Sequence, residues 1–282
     1  MQKEFKPQVT VGIPYYKGTK PEDLKLAIES ILFQSFSEII IHLIQDGIVD
    51  ENLSSLIREY VSHHENVTLI EIPQNMGLSY ALNMSILNCS TKYYARMDSD
   101  DIAHPDRIKK QYNFMELNSQ IHILGSWVDE FYDESILKAG PIYRNANYKF
   151  LTIKTPKEKK DIANSFHYKN PICHMSVMFR KDVFAKIGLY NSSYRRTQDL
   201  ELWSRALKAD VGITNLQEPL VYVRAVGFAE KRSNLRSVLR QAKIRYKYNT
   251  LSPKYNVLKL LAIIFRLLPK KIQKWGYKNL RG

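Results

Sequence analysis

The stretch Lys92–Asp101, KYYARMDSDD, decides the fold prediction. A short apolar and aromatic run, typical of a buried strand, ends in three carboxylates within four positions, Asp98, Asp100 and Asp101. Like charges at the end of a strand repel one another unless a cation lies between them. A hard divalent ion such as Mg²⁺ or Mn²⁺, which prefers carboxylate and phosphate oxygens, would balance them. The alternative is a polar turn whose aspartates cap the next helix.

Three strand–helix units precede this stretch. The β-branched run Val9–Ile13 predicts a buried first strand. The continuous apolar run Ile39–Ile44 is typical of a strand buried on both faces of a parallel sheet, and Val67–Ile72 predicts a third strand. Amphipathic segments between them predict helices that begin near Pro21, Leu53 and Ser79. The resulting β-α-β-α-β-α-β order indicates an α/β fold with a doubly wound sheet.

Polar side chains follow each of these four strands, at Tyr16, Asp46, Asn75–Gly77 and Asp98–Asp100. Because ligands of doubly wound sheets bind beyond the carboxyl ends of the strands, this placement predicts one binding edge. Core packing does not require polar residues at the ends of all four strands. Taken singly, Asp46 could also be a turn residue beside Gly47, and Tyr16 a plain surface residue.

The remaining chain predicts a helix over 106–117 and strands over 121–125, 171–180 and 220–223, whereas residues 129–165 show no clear period. A polar loop enters an amphipathic helix near Asp199. From the residues alone, Asp199 is either the cap of that helix or a carboxylate with a chemical role.

The charge is confined to one end of the chain. Residues 226–282 hold 15 Lys/Arg and one acid, Glu230, which accounts for the whole net charge of +14, because the 27 Lys/Arg and 27 Asp/Glu of residues 1–225 cancel. The body therefore lacks the charge signature of a nucleic-acid-binding protein. Two cysteines without a ligand spacing, and an N-terminus without an apolar run, predict a cytoplasmic protein with no signal peptide, disulfide framework or zinc site.

The tail, residues 226–282, combines this charge with apolar helical faces. The segment Val257–Leu268 is strongly apolar but shorter than a membrane span and contains Lys259 and Arg266; the edge Pro269–Trp275 is basic and aromatic. The pattern favours an interfacial helix on an anionic membrane. The alternative is a helix packed on the body or on a partner subunit.

An ordered set of motifs covering about residues 9–225 resembles the family 2 glycosyltransferases, in particular the small bacterial enzymes that build capsule, exopolysaccharide or O-antigen. The motifs are VGIPYY at 11–16, Asp46, NMGLSYALN at 75–83, MDSDD at 97–101 with PDR at 105–107, and QDLELW at 198–203. Each motif is weak alone, and their order is specific.

The resemblance implies a GT-A fold: a Rossmann-like, doubly wound, mostly parallel sheet with helices on both faces, here followed by basic amphipathic C-terminal helices. It implies a catalytic domain over 1–225, with a nucleotide-sugar-binding half (1–104) and an acceptor-binding half (105–225). The tail would then be a membrane-associating segment.

The resemblance also implies roles for single residues. Pro14, Tyr16 and Asp46 would bind the base of a nucleotide-sugar, typically a UDP-sugar, while Asp98 would hold its ribose or waters. Gly77 and Asn83 would shape the nucleotide loop. Asp100 would ligate Mn²⁺ or Mg²⁺, and Asp199 would be the general base. Candidate acceptor contacts, each with a packing or solvated alternative, are His174, Arg195, Arg196 and Trp203.

Two departures from the family pattern concern the metal and the first loop. Many relatives carry a histidine after the last strand, but the segment 222–226, YVRAV, has none, so Asp100 and the donor diphosphate would share the ion. The family often has Asn after the tyrosine of the first loop, where this chain has Lys17.

The expected function is inverting transfer of a sugar from a nucleotide-sugar to a lipid-pyrophosphate-linked saccharide, at the inner face of the cell membrane. Two other classes stay open on sequence. One is a sugar-phosphate nucleotidyltransferase, although the first loop, PYYKG at 14–18, lacks the expected glycine-rich basic pattern. The other is a non-catalytic membrane or nucleic-acid binder driven by the tail.

Overall fold

The computed structural model describes residues 6–131, 150–225, 235–248, 252–269 and 272. Its centre is a nine-stranded sheet in the order β3-β2-β1-β4-β8-β6-β9-β5, with β7 paired to β6. The strands are β1 Val9–Tyr15, β2 Ile39–Asp46, β3 Val67–Ile72, β4 Tyr93–Arg96, β5 Ile102–Ala103, β6 Ile121–Phe131, β7 Leu151–Ile153, β8 Met178–Arg180 and β9 Gly212–Arg224. This α/β architecture confirms the predicted fold class.

The first four strands form the parallel part of the sheet. β1 lies between β2 and β4, and β3 pairs with β2, each pair parallel. Every residue of β1 is buried, as expected for a strand covered on both faces. Since the carboxyl ends of parallel strands point the same way, the segments after Tyr15, Asp46, Ile72 and Arg96 meet at one edge.

The later strands extend this sheet beyond β4. β8 pairs antiparallel with both β4 and β6, and β9 runs parallel to β6 with register shifts. The short β5, directly after the acidic cluster, pairs antiparallel with β9 at Ile102–Tyr222. The far end of β9 is thereby brought against the acidic cluster.

Helices cover both faces of the sheet. They are α1 Pro21–Leu32, α2 Glu51–His63, α3 Leu78–Leu87, α4 Arg107–Leu117, α5 Lys159–Phe166, α6 Val183–Ile187, α7 Gln198–Lys208, α8 Leu235–Lys247 and α9 Pro253–Leu267. One apolar core joins α1, α2 and α4 to β1 and β2, and a second joins α3, α6 and α7 to β8. Burial of these two cores is the main stabilising term of the fold.

The two described tail helices differ in how they pack. α8 places Val238 and Ile244 in the interior, where Ile244 joins the core that contains α7. α9 instead turns an apolar face outward, with side chains 45–55% exposed at Val257, Leu260, Leu261, Ile264 and Leu267. The packing alternative therefore holds for α8. The basic edge at 270–271 and 273–275 lies outside the described residues.

One predicted strand is largely wrong. Of residues 171–180, only Met178–Arg180 form a strand, because His174–Ser176 form a 3-10 helix. The hydroxyl of Ser176 donates to the Ser126 carbonyl at 3.2 Å and accepts from the Ser126 amide at 2.9 Å. This side chain takes the place of ladder hydrogen bonds, as Ser often does.

Candidate active site

The loops after β1 and β4 lie side by side. Tyr16 begins a tight turn in which its amide donates to the Thr19 hydroxyl at 3.2 Å, and the Thr19 and Ser99 hydroxyls are 3.5 Å apart. Tyr16 is 49% exposed, whereas Pro14 is buried at the end of β1. An exposed aromatic ring beside an acidic loop can stack on a nucleotide base.

Asp46 organises the loop after β3. Its two carboxylate oxygens accept the amides of Met76 and Gly77 at 2.7 and 2.8 Å, and only 6% of the residue is exposed. Gly47 adopts φ +89°, and a β-carbon there would lie 2.8 Å from the Asn75 amide nitrogen. The predicted contact of Asp46 with a base stays a prediction; in the structure its carboxylate holds the Asn75–Gly77 loop.

A buried arginine explains how the acidic cluster is tolerated. Arg96, the last residue of β4 and 1% exposed, donates two hydrogen bonds to the Asp98 carboxylate, one of them at 2.9 Å. The carbonyl of Arg96 accepts a hydrogen bond from the buried Arg107 of the PDR motif at 2.8 Å. The bidentate pair of Arg96 with Asp98 fixes the direction of the Asp98 carboxylate.

Asp101 and Arg224 tie the acidic loop to the end of β9. The Asp101 carboxylate accepts the Arg224 amide at 3.1 Å, and the Arg224 guanidinium contacts the Asp100 carbonyl at 3.3 Å and pairs with Asp23 of α1 at 2.7 Å. Burial, followed by the charges of Asp98 and Asp100, raises the pKa of Asp101 well above its usual range. Ionisation of Asp101 is therefore less favourable than that of a free aspartate.

Asp100 presents the carboxylate that faces outward. The residue is exposed, and no ion pair involves it among the described residues. Loss of solvation, together with the Asp98 charge, raises the pKa of Asp100 to about 6. A cation at this position would lower that pKa and favour the ionised form.

α3 connects this edge to the loop before α7. The Asn83 side chain makes two hydrogen bonds to the backbone of Tyr190, at 2.8 and 2.9 Å, and the Ser79 hydroxyl donates to the Tyr194 carbonyl at 3.3 Å. Gly77, at φ +88°, directly precedes α3, and a β-carbon there would lie 4.0 Å from the Arg195 side chain. The Asn83 contacts hold the start of the 190–197 loop, and the predicted role of Asn83 in shaping the nucleotide loop stays a prediction.

Asp199 lies in the first turn of α7 and is not its cap. The capping position is Thr197, and the Asp199 carboxylate accepts a hydrogen bond from the Asn170 side chain at 2.5 Å. Asp199 is half-buried, and the loop before it is bonded to α3 through Ser79 and Asn83. The capping explanation for Asp199 is therefore wrong, and its role as a base stays a prediction.

The four candidate acceptor residues fall into two groups. Arg195 and Arg196 are exposed in the loop that leads to Asp199. His174 and Trp203 lie in the core instead, where Trp203 is fully buried and stacks on Phe179 with ring centroids 6.0 Å apart. His174 bonds the Tyr190 hydroxyl at 2.8 Å, and burial lowers its pKa well below the usual range. Packing accounts for both side chains, and their contact with an acceptor stays a prediction.

Comparison with known proteins agrees with this arrangement. The sequence model of Glycosyl transferase family 2 matches residues 10–188, more than half of the chain and four strand-end loops of the site. The chain belongs to glycosyltransferase family 2. Membership favours sugar transfer over the nucleotidyltransferase and binder alternatives.

Two family members match over nearly their full lengths. The amylovoran biosynthesis glycosyltransferase AmsE of Erwinia amylovora is 28% identical over 96% of this chain and 98% of its own. The UDP-Gal:α-D-GlcNAc-diphosphoundecaprenol β-1,3-galactosyltransferase of Escherichia coli is 29% identical over 97% of this chain and 96% of its own. This glycosyltransferase therefore belongs among enzymes of polysaccharide synthesis.

The fold also matches solved structures. The mannosyltransferase PcManGT of Pyrobaculum calidifontis, in complex with GDP-Man and Mn²⁺, superposes with a TM-score of 0.61 at 13% identity, covering 98% of this chain and 76% of that one. This likeness identifies the fold as GT-A.

The residues of this glycosyltransferase can be tested against the divalent ion that the fold implies. Within the described part of the chain, no three His, Cys, Asp or Glu side chains converge into a metal-binding group. Asp98 has both oxygens bonded to Arg96, whereas the exposed Asp100 offers hard oxygen ligands. Among the described acidic residues of this loop, Asp100 is therefore the side chain that could hold a divalent ion, and further ligands would have to come from the substrate.

Sequence reasoning missed three polar residues of the site, Arg96, Asn170 and Arg224. A charged residue at the end of an apolar strand, directly before three acids, is a usable signal for Arg96. Asn170 lies in a polar loop 29 positions before Asp199, and only the fold brings the two together. Arg224 lies in the segment 222–226, where the family pattern often has a histidine.

Proposed function

We propose that this protein is an inverting glycosyltransferase that moves a sugar from a UDP-sugar to a lipid-pyrophosphate-linked saccharide. The observation that carries the proposal is that the loop before Asp199 lies against a strand-end loop. A β-carbon at Gly77 would lie 4.0 Å from the Arg195 side chain, and the Gly77 amide donates to Asp46 at the end of β2. A base and a leaving-group site on one edge suit direct displacement.

The donor side is formed by the loops after β1 to β4. Tyr16 would stack on the base, beside the loop that Asp46 holds, and Asp98, kept in place by Arg96, would accept from the ribose hydroxyls. A uracil base is proposed because the Escherichia coli relative is described by a UDP-Gal donor. PcManGT was solved with GDP-Man, so the fold itself does not select the base.

The proposed reaction requires a general base for the acceptor and charge neutralisation at the leaving diphosphate. The acceptor hydroxyl loses its proton to Asp199 as its oxygen bonds to the anomeric carbon, and the sugar–phosphate bond breaks with its electron pair leaving on the diphosphate. A divalent ion at Asp100, Mn²⁺ or Mg²⁺, would supply charge neutralisation to that diphosphate. Attack from the side opposite the leaving group inverts the configuration.

Two features of the acceptor side support binding to a membrane. Arg195 and Arg196 are exposed next to Asp199 and suit the pyrophosphate of a lipid-linked saccharide. The outward face of α9 is apolar, while Lys259, on the opposite side of that helix, is buried and bonds the Tyr248 carbonyl at 3.4 Å. No helix in the described ranges has the length and apolar content to cross a bilayer. We propose peripheral binding to the anionic inner face through the tail.

A donor and acceptor screen tests the chemistry. The full-length protein is incubated with Mn²⁺, individual UDP-sugars and a lipid-pyrophosphate saccharide, and the anomeric configuration of the product is read by NMR. We expect one preferred UDP-sugar and an inverted product. A retained configuration, or nucleotidyl transfer to a sugar phosphate, would contradict the proposal.

Vesicle flotation tests the membrane role. Replacing Leu261 and Ile264 of α9 by glutamate should abolish binding to vesicles that contain anionic phospholipid, since apolar burial and charge attraction act together. Leu117→Glu, at an 85% exposed leucine at the end of α4, is the matched control and should bind normally. Equal binding by both proteins would show that α9 does not contact the bilayer.

A further inference from the structure

Asn170 joins the Asp199 carboxylate to the backbone of its own loop. Its Nδ2 donates to Asp199 Oδ2 at 2.5 Å, and its Oδ1 accepts the Ile172 amide at 3.4 Å. An asparagine amide has a donor side and an acceptor side. The bond to Ile172 therefore decides which side faces Asp199, because reversing the amide would place its oxygen against the carboxylate.

The turn that carries Asn170 is held by the tail. Arg245 of α8 is 2% exposed, and its guanidinium donates to the Phe166 carbonyl and, at 3.3 Å, to the Lys169 carbonyl. It also lies over the Phe166 ring, 5.7 Å from the centroid. Each of these partners belongs to the turn that ends directly before Asn170.

Arg245 is a buried cation whose charge is compensated by these contacts. Its guanidinium donates to carbonyls, and burial lowers the pKa of Arg245 to about 9. Burying a cation is unfavourable unless hydrogen bonds compensate the lost solvation, so loss of these bonds should be costly. The carbonyls at both ends of the 166–169 turn are what Arg245 holds.

We infer that Asn170 is a positioning residue for the Asp199 base, and that Arg245 holds the turn on which Asn170 lies. The inference rests on the proposed role of Asp199. The Asn170 bond occupies Oδ2, so Oδ1 is the oxygen that would accept the proton of the acceptor hydroxyl. A base fixed in this way needs no reorientation when the hydroxyl arrives.

α8 is then part of the acceptor half, while α9 carries the proposed membrane contact. α8 contacts the segments on both sides of Asp199, since Arg245 holds the turn before Asn170 and Lys247 contacts the Tyr194 hydroxyl at 3.3 Å. Tyr194 belongs to the loop that enters α7.

Two variants at Asn170 separate positioning from folding. Asn170→Ala removes the bond, and we expect kcat to fall about 10- to 100-fold with the donor KM unchanged, since misplacement of a reacting group has an effect of this size. Asn88→Ala is the matched control, because Asn88 is exposed and bonds the Met84 carbonyl at the far end of α3. It should transfer at the wild-type rate.

Asn170→Asp gives a readout that a structural role would not. The introduced carboxyl and Asp199 would share one proton at acid pH, which restores a donor to Asp199, and would repel each other once both ionise. Activity of this variant should therefore fall with rising pH, while Asn170→Ala shows no such fall. Among the described residues, Tyr190 and Arg245 interact electrostatically with Asp199, and the exposed Arg195 and Arg196 lie in the loop that precedes it.

The outcomes separate this inference from the proposed function. If Asp199→Asn is inactive while Asn170→Ala has wild-type kcat, the positioning role is overturned and the base assignment stands. If Asp199→Asn transfers at the wild-type rate, the base assignment itself fails. Arg245→Met should lower kcat in the wild type but add little in Asn170→Ala, as expected for two residues that act through one path. Independent, multiplying losses would overturn the part assigned to Arg245.

Discussion

Replacing Asp46 by asparagine tests whether this carboxylate stabilises the loop after β3 or acts on the ligand. The carboxylate accepts two amides, from Met76 and Gly77, at 2.7 and 2.8 Å. Asparagine keeps one accepting oxygen and turns an NH₂ group toward the second amide. One charged hydrogen bond becomes neutral, and the other is lost with a buried amide left unsatisfied.

The magnitude follows from those two bonds. A hydrogen bond to a charged group contributes about 1.5–3 kcal/mol and a neutral one about 0.5–1.5 kcal/mol. Losing one and weakening the other should lower the free energy of unfolding by about 2–4 kcal/mol. At about 2 °C per kcal/mol for a large domain, Tm should fall by about 4–8 °C.

Thermal unfolding followed by circular dichroism measures this shift. Asp50→Asn is the matched control, since Asp50 is an exposed helix cap that accepts the Leu53 amide at 3.0 Å, and asparagine caps helices equally well. A wild-type Tm for Asp46→Asn, together with lost UDP affinity, would refute the loop role and assign Asp46 to the base.

Three further predictions concern packing, pH and metal. Trp203→Ala should lower the unfolding free energy by about 3–5 kcal/mol, measured in urea, while the acceptor KM of the milder Trp203→Phe stays unchanged; a raised KM would restore the acceptor role. Burial, followed by Lys259 and Arg245, lowers the pKa of His167 to about 4, so stability should fall as pH drops from about 6.5 toward 4. His167→Gln should remove part of that pH dependence of Tm, and an unchanged profile would contradict it. Calorimetry should find weak Mn²⁺ binding without UDP and tighter binding with UDP. Asp100→Asn should show no Mn²⁺ binding in either case, and equal affinity with and without UDP in the wild type would indicate further protein ligands.

The parallel half of the fold could be predicted because β1, β2 and β4 are buried along most of their length. Such strands appear in the sequence as apolar runs. The four predicted strands correspond to β1 to β4, although the edge strand β3 exposes Thr68 and Glu71. The second half could not be predicted equally well. β9 runs from Gly212 to Arg224, but the predicted strand covered only 220–223. Asn215 and Gln217 interrupt the apolar pattern in the first part of β9.

Polar groups explain that difference. Asn215 is buried, and its side chain bonds the carbonyls of Pro156 and Pro171 at 2.7 and 3.1 Å, contacts over more than 40 positions. A buried polar residue that is satisfied by distant backbone looks like a loop residue in the sequence.

The candidate site shows the same limit. Its carboxylates could be placed at one edge from strand order alone, since every strand-end loop of a parallel sheet points the same way. The partners of these carboxylates could not, because Arg96 is buried only after the strand forms and Asn170 meets Asp199 only in the fold. Trp203 was placed near an acceptor by its spacing from Asp199, yet its side of α7 faces the core.

Single-turnover transfer by Asp199→Asn tests the central claim most directly. The variant is saturated with UDP-sugar and Mn²⁺, mixed with the lipid-linked acceptor, and the product is measured over time beside UDP affinity. The account predicts wild-type UDP affinity and a rate at least about 100-fold lower, the smallest contribution expected of a general base. A wild-type rate with normal UDP affinity would contradict the account.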